Sequence, residues 1–574
     1  MSNPPEAPDY AAYTHADLLA RVTDLEAQLR ALNTDHSSLI LPKKKPRKAP
    51  KPFDPSRYSF RFIALKFAYL GGKYNGFEHH TNNTTPLPTI EEELWKALRK
   101  TRLIFPQLRD GQGEDDVCWD GVEYSKCGRT DRGVSAFGQV VGIKVRSSQP
   151  KAEIAKDMNG ASNGTANGAL GAGSMADSAM EDISTPAEGD HAESLSDEPT
   201  ADPTWDPIRD EHPYIQLLNR VLPSDIRVLA WCSHPPPDFS ARFSCKERRY
   251  RYFFTNPAYA SAPGSSEGRL DIVAMQQAAG KLEGLHDFRN FCKVDASKQI
   301  ENFERRIFHA RIHALRPRAL EEGIDGDAFS KGGASGTSSV SEPDLYYFEV
   351  RGSAFLWHQV RHLVAILFLV GQGYEQPSIV DQLLDVKSCP SKPVYDMADD
   401  RPLVLWDCVF PDLDELAAQD RQSHGLHATG YENALGWVYA GDEAGGRDPA
   451  KRSIAGVDDA KYGRNGIMDE LWALWRKRKI DEVLAGSLMN VVSAQQGGAT
   501  APMSNGNLAS ASQGTERSDR VFDGSGRPRT VGNYIPIMQR ARMEAPEVVN
   551  ARYAVRKGLA PRSGANVAAV DVDE

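Results

Sequence analysis

Apolar and polar positions along this chain fall into periodic stretches separated by stretches with no period. "RFIALKFAYLG" (61–71) alternates as a half-buried strand does. In "TIEEELWKALRK" (89–100), Ile90, Leu94, Ala97 and Leu98 share one helical face behind a Thr89 cap, with acids in the first turn. "GQVVGIKV" (138–145) is a strand again, so the first unit is strand, helix, strand. A helix over 214–222 follows, then a strand around 225–231 and another over 248–254. The later half repeats this order, with a helix over 270–282, strands "RIFHARIHAL" and "LYYFEVRG", and a helix "AFLWHQVRHLVAILFLVG" (354–371). The pattern predicts an α+β class: two α/β halves, each a mostly antiparallel sheet backed by helices.

Outside this body the signals change. Residues 15–33 place Leu18, Val22, Leu25, Leu29 and Leu32 at alternating spacings of four and three. This is a seam for either a short coiled coil or a helix packed on the body. "LPKKKPRKAPKPF" (41–53) alternates cations with prolines that forbid a helix, and reads as a solvated linker that also suits nuclear import or an RNA-touching arm. Residues 147–205, 319–343 and 493–520 are poor in apolar residues and read as disordered insertions. The expected organisation is 1–56, an N-terminal helix and basic linker; 57–146, the first half; 147–205, an acidic insert; 206–415, the remainder of the body; and 416–574, a C-terminal extension.

Composition and charge refine this picture. The chain has 574 residues, 40% of them hydrophobic, ample for a large core. No run of 18 or more apolar residues occurs, which predicts no membrane span. The N-terminus has neither a secretory nor a mitochondrial pattern, so an intracellular protein is expected. Seven scattered cysteines, none in a C-x-x-C pair, read as reduced buried thiols rather than disulfides or a zinc site. The formal charge of −10 argues against a nucleic-acid partner only until its distribution is considered. Residues 147–205 alone carry eleven acids against two lysines, so the rest of the chain can hold a basic face.

The candidate chemistry lies in "KCGRTDRGVSAFGQVVGIKV" (126–145). Asp and Gly are ordinary turn residues and Arg is ordinary at a surface, so the loop by itself is unremarkable. Its surroundings are not. "GRTDRGVSAFGQVV" resembles the catalytic signature of the TruA-type tRNA pseudouridine synthases. "YLGGKYNGF" (69–77), "TIEEELWKAL", "LNRVLPSDIRV", "FSARFSCKERRYRYFF" (239–254) and "GSAFLWHQVRHLVAILFLVG" (352–371) resemble that family's other motifs, in family order. The wording "CGRTDRGVSA" and the tail "NYIPIMQRARME" (533–544) look most like the eukaryotic branch that modifies positions 38 and 39 of the tRNA anticodon arm.

The resemblance implies an isomerase that detaches uracil from ribose, rotates it and rejoins it through carbon, with no cofactor and no metal. It makes Asp131 the reacting carboxylate, as nucleophile at C1′ or as base for a glycal route. It makes Arg361 the cation that holds Asp131, and a lone Arg in an otherwise apolar helix fits a residue that needs a partner. Tyr250 matches the family's base-stacking tyrosine, while Tyr252 reads as packing. Arg129 is expected in base flipping, and Arg132, Lys246, Arg248 and Arg249 at phosphates. The implied partner is tRNA, the implied assembly a homodimer, and the expected location nucleus and cytoplasm. The rival readings are a synthase for other tRNA or small nuclear RNA sites, a tRNA-binding chaperone without catalysis, and a protein-interaction scaffold.

Overall fold

The computed structural model describes residues 14–36, 53–80, 85–107, 113, 116–151, 205–260, 266–315, 344–412, 433–442, 461–462, 466–495 and 520–558. The basic run 43–51 and nearly all of the three predicted insertions lie outside the described residues. The chain divides into two units, Met1–Arg57 and Tyr58–Glu574. In the first, α1 (His15–His36) covers the predicted heptad. Its start is fixed by a reciprocal cap, in which Thr14 N–H donates to Asp17 Oδ2 (3.0 Å) and Asp17 N–H to Thr14 Oγ1 (3.3 Å). Leu18, Val22 and Leu25 of its seam are exposed.

The second unit is built on a ten-stranded sheet. In chain order its strands are β1 (Ser59–Tyr69), β2 (Ser125–Lys126), β3 (Ser135–Ser147), β4 (Ile226–Cys232), β5 (Glu247–Asn256), β6 (Gly284–Asp287), β7 (Glu304–Ala314), β8 (Asp344–Gly352), β9 (Leu403–Val409) and β10 (Trp437–Tyr439). Their order across the sheet is β10-β4-β1-β3-β9-β5-β8-β7-β6, with β2 also paired to β3. Every pairing is antiparallel except β3 with β9, which run parallel through Ser135↔Val404 and Ala136↔Leu405. The two predicted halves are thus fused into one sheet at that junction.

A cross-link spans the junction. Lys66 of β1 and Asp407 of β9 lie on opposite sides of β3 and form a 2.8 Å ion pair. They can meet because β3 carries Gly138 there: a Cβ would fall 2.6 Å from Asp407 Oδ1. Only a residue without a side chain lets the carboxylate pass.

The helices of this unit are α2 (Ile90–Lys100), α3 (Tyr214–Asn219), α4 (Ile272–Gly280), α5 (Gln359–Gly371), α6 (Ile379–Leu384), α7 (Ile467–Ala494) and α8 (Pro546–Lys557). The α2 cap is as the sequence predicts, Glu92 N–H donating to Thr89 Oγ1 (3.2 Å). Leu94, Trp95 and Leu98 pack there with Ile63, Leu65 and Phe67 of β1, and with Tyr214 and Leu218 of α3, in one core. A second core joins α4 and α5 to β5, β7 and β8, through Met275, Ile307, Phe348, Leu363 and Phe368 among others. Each such side chain contributes about 1.5–3 kcal/mol on burial, and every residue of α5 is buried. That explains its unbroken apolar run and makes Arg361 and His362 within it conspicuous.

Two predicted bounds move. The helix expected from residue 354 begins at Gln359, because His358 sits in the left-handed region (φ +61°) and no regular helix can run back through it. The helix expected over 214–222 stops at Asn219, whose side chain exchanges two hydrogen bonds with Val228 (2.9 and 2.8 Å) and ties α3 to β4. The C-terminal stretch 520–558 contributes to the second core: Ile537 is fully buried, and Glu375 Oε1 accepts from Tyr534 OH and Ile537 N–H, both at 2.7 Å. Among the described residues no helix is long and apolar enough to cross a membrane.

Candidate active site

The loop 127–134 leaves β2 and enters β3, and the segment after β1 clamps it. Tyr69 OH and Thr130 Oγ1 are hydrogen-bonded at 2.7 Å, Phe77 N–H donates to Thr130 O (3.0 Å), and Gly71 N–H donates to Ser135 Oγ (3.0 Å). A Cβ on Gly71 would fall 2.0 Å from Val134 O, so the chains meet backbone to backbone. From the strand side, Gln139 holds Gly128 by both of its backbone groups, each at 3.0 Å. The motif "YLGGKYNGF" is therefore the other jaw of the loop that presents Asp131. Two stretches more than fifty residues apart in sequence make one rigid turn.

Asp131 stands at the tip with its side chain 23% exposed, and its neighbour is His358, whose Nε2 lies 3.5 Å from Asp131 Oδ2. The His358 Nδ1 is buried with no hydrogen-bond partner in the structure. Tyr250 of β5 lies close enough for Asp131 to act on its phenol, and packs edge-on to Phe355 at 5.1 Å. Burial pushes its pKa up, the neighbouring Cys408 sulfur adds to this, and Asp131 adds a smaller share. Tyr250 is thus a neutral phenol and a hydrogen-bond donor. Tyr252 is fully buried against Phe368, in keeping with packing.

Arg361 is buried on α5. Its Nε donates to Ala398 O at 2.7 Å and its Nη2 faces Asp400 Oδ2 at 3.8 Å. Asp400 itself lies against Gly133, two residues beyond Asp131. Burial raises the Asp400 pKa while Arg361 opposes the shift. The expected Arg361–Asp131 pair is thus replaced in this structure by two contacts on the same loop: His358 at Asp131, and Arg361 through Asp400 at Gly133.

The residues expected to meet RNA are distributed differently. Arg132 is exposed. Arg129 is half exposed and pairs with Glu78 at 3.2 Å. Lys246 donates to Phe243 O (3.2 Å), Arg249 pairs with Glu247 (2.5 Å), and Arg248 donates to three backbone carbonyls. Two aromatic-cation pairs escaped sequence reasoning. Lys293 Nζ lies 4.6 Å from the ring centroid of exposed Trp357, and Arg242 lies 5.2 Å from that of exposed Phe243. Such pairs give a base something to stack on and a phosphate something to approach. His358 also escaped it, although a histidine three residues before a lone arginine in an apolar helix was a visible signal.

A carboxylate, a neutral phenol and an imidazole near one loop tip suit proton transfer or nucleophilic attack on a sugar or base. Comparison with known proteins gives that chemistry a context. The family profile described as tRNA pseudouridine synthase matches residues 278–411. A Saccharomyces cerevisiae protein named tRNA pseudouridine(38/39) synthase is 32% identical over 563 residues, covering 96% of this chain and 92% of that one. A human protein of the same name is 37% identical over 418 residues, 71% of this chain and 69% of that one. The tRNA pseudouridine synthase A of Methanothrix thermoacetophila is 27% identical over 358 residues, 61% and 84% of the two chains.

Proposed function

This chain belongs to the tRNA pseudouridine synthase family, and from that premise we propose that it isomerises uridine at positions 38 and 39 of the tRNA anticodon arm with Asp131 as the reacting carboxylate. As a family member it is an isomerase that converts tRNA uridine to pseudouridine. The family-wide activity leaves open the position, the residues and the assembly.

The observation that carries the residue assignment is the clamp. Asp131 is the one acid of a turn held by Tyr69, Gly71, Phe77 and Gln139, and it faces His358 and Tyr250. In the reaction the C1′–N1 bond breaks, uracil turns, a C1′–C5 bond forms, the C5 proton leaves and N1 takes up a proton. No atom is gained or lost. A rigid carboxylate serves either route, attack at C1′ or removal of the C2′ proton, because both need one oxygen held against the sugar while the base moves. A paired uridine must leave its stack first, at about a few kcal/mol, and the ring of Tyr250 is placed to offset part of that. Support for positions 38 and 39 is the printed name and long coverage of the yeast relative.

Asp131→Asn keeps the turn and removes the charge. The expected result is unchanged tRNA binding with no pseudouridine at 38 or 39, read by mapping tRNA incubated with wild type and variant. Pseudouridine at normal yield in the variant overturns the assignment, and modification at other positions overturns the site preference alone.

The proposed assembly is a homodimer, supported by the exposed apolar side chains of α7 such as Trp472, Trp475, Leu484 and Leu488. Monomeric sedimentation at micromolar concentration counts against it. The proposed location is nucleus and cytoplasm, supported by the basic run 43–51. Loss of nuclear signal on replacing Lys43, Lys44 and Lys45 is the test.

A further inference from the structure

Three cysteines with no sequence spacing in common meet behind the catalytic loop. Cys127 immediately precedes Gly128, Cys245 lies two residues before β5, and Cys408 is on β9. All three are buried and free, and their sulfurs lie within 4.8 Å of one another. Each belongs to a different segment, so the sulfurs join the loop, the start of β5 and the junction strand. Tetrahedral zinc with Zn–S bonds near 2.3 Å holds its sulfurs about 3.8 Å apart. The trio needs to close by at most about one ångström to match.

Charge is the second, independent observation. Arg248 stands opposite Cys408 in the β5–β9 register. Its guanidinium donates to Ser353 O (2.9 Å), Arg242 O (3.0 Å) and Cys127 O (3.1 Å), all neutral acceptors, and among the described residues no carboxylate pairs with it. A half-buried cation served only by carbonyls calls for a negative group. A thiophilic ion binds such a trio by displacing the thiol protons.

We propose that Cys127, Cys245 and Cys408 form a thiolate site for one thiophilic d10 metal ion, with Arg248 as its counter-charge. The net charge favours Zn2+. Three thiolates around Zn2+ leave −1, which one guanidinium offsets, whereas around Cu+ they leave −2. The site is structural. It fixes the base of the Asp131 loop to β5 and β9, and no step of the isomerisation passes through it.

The test starts from full-length protein purified without a metal-affinity column and analysed for zinc and copper. The expected result is about one zinc per chain, lost in Cys245→Ser. One copper per chain instead supports the thiolate site and overturns the choice of zinc. Metal retained by Cys245→Ser marks binding elsewhere and overturns the proposal. Should that variant fail to fold, the native wild-type protein is titrated with Cd2+ and followed by the ultraviolet thiolate-to-cadmium charge-transfer band. A metal-free protein that gives no such band overturns the proposal.

Discussion

The imidazole of His358 meets the carboxylate of Asp131, Nε2 to Oδ2, at 3.5 Å. His358 holds this position from a left-handed backbone (φ +61°), which costs a non-glycine residue about 1 kcal/mol or more. The strain puts the ring at the foot of α5, directly before a helix whose every residue is buried. Its ring carries one partnered and one unpartnered nitrogen.

His358→Asn separates the ring from the backbone, since Asn tolerates the left-handed region. If the ring positions Asp131, turnover falls about 10- to 100-fold with little change in tRNA affinity. His358→Gln, which keeps an N–H near Nε2, recovers part of it. Single-turnover kinetics beside a binding isotherm separate the two effects. Equal losses in both would show a general structural role.

Gly71→Ala drives a methyl group into Val134 O, where a Cβ would stand 2.0 Å away. Backbone meets backbone there, so neither side yields cheaply. A stability loss of about 1–3 kcal/mol is expected from overpacking, with a larger loss of turnover because the displaced loop carries Asp131. Urea denaturation and pseudouridine yield, measured on one preparation, check both.

Arg361 joins α5 to the loop's far side through Ala398 O and Asp400. Arg361→Met leaves a buried carbonyl without its donor and removes the cation facing Asp400. A cost of about 1–3 kcal/mol is expected, and turnover should drop with it. Arg361→Lys should rescue little, because one ammonium cannot reach both acceptors in the fork geometry. A lysine variant with near-normal turnover and melting temperature would contradict this.

Stability should fall in acid through His362. Its ring is buried with Nε2 2.8 Å from the Lys392 ammonium. Burial first and the Lys392 charge second push its pKa down to about 2. The unfolded chain takes up that proton near pH 6.5 while the native state refuses it, so stability present above 6.5 is lost as pH falls below it. The slope from this group is about 1.4 kcal/mol per pH unit at most. His362→Leu should flatten the decline of melting temperature between pH 6.5 and pH 5. Parallel curves for the two proteins would refute it.

Local rules alone determined a good deal of this protein. The α2 cap, the strand β1, the central run of β3 and the buried helix α5 follow from periodicity, capping chemistry and apolar content, because those signals act within a few residues. The motifs around Asp131, Tyr250 and Arg361 were legible through their resemblance to a known family. Tertiary structure decided what touches what. That "YLGGKYNGF" is the second jaw of the loop, that His358 rather than Arg361 meets Asp131, that Arg248 turns to carbonyls, and that three unspaced cysteines converge depend on tertiary pairings such as β1 with β3 and β3 with β9. Such pairings join residues far apart in the chain, and no local preference encodes them. The α5 boundary shows both levels at once: apolar content made the helix, but the chain's path into the site twisted His358 out of it.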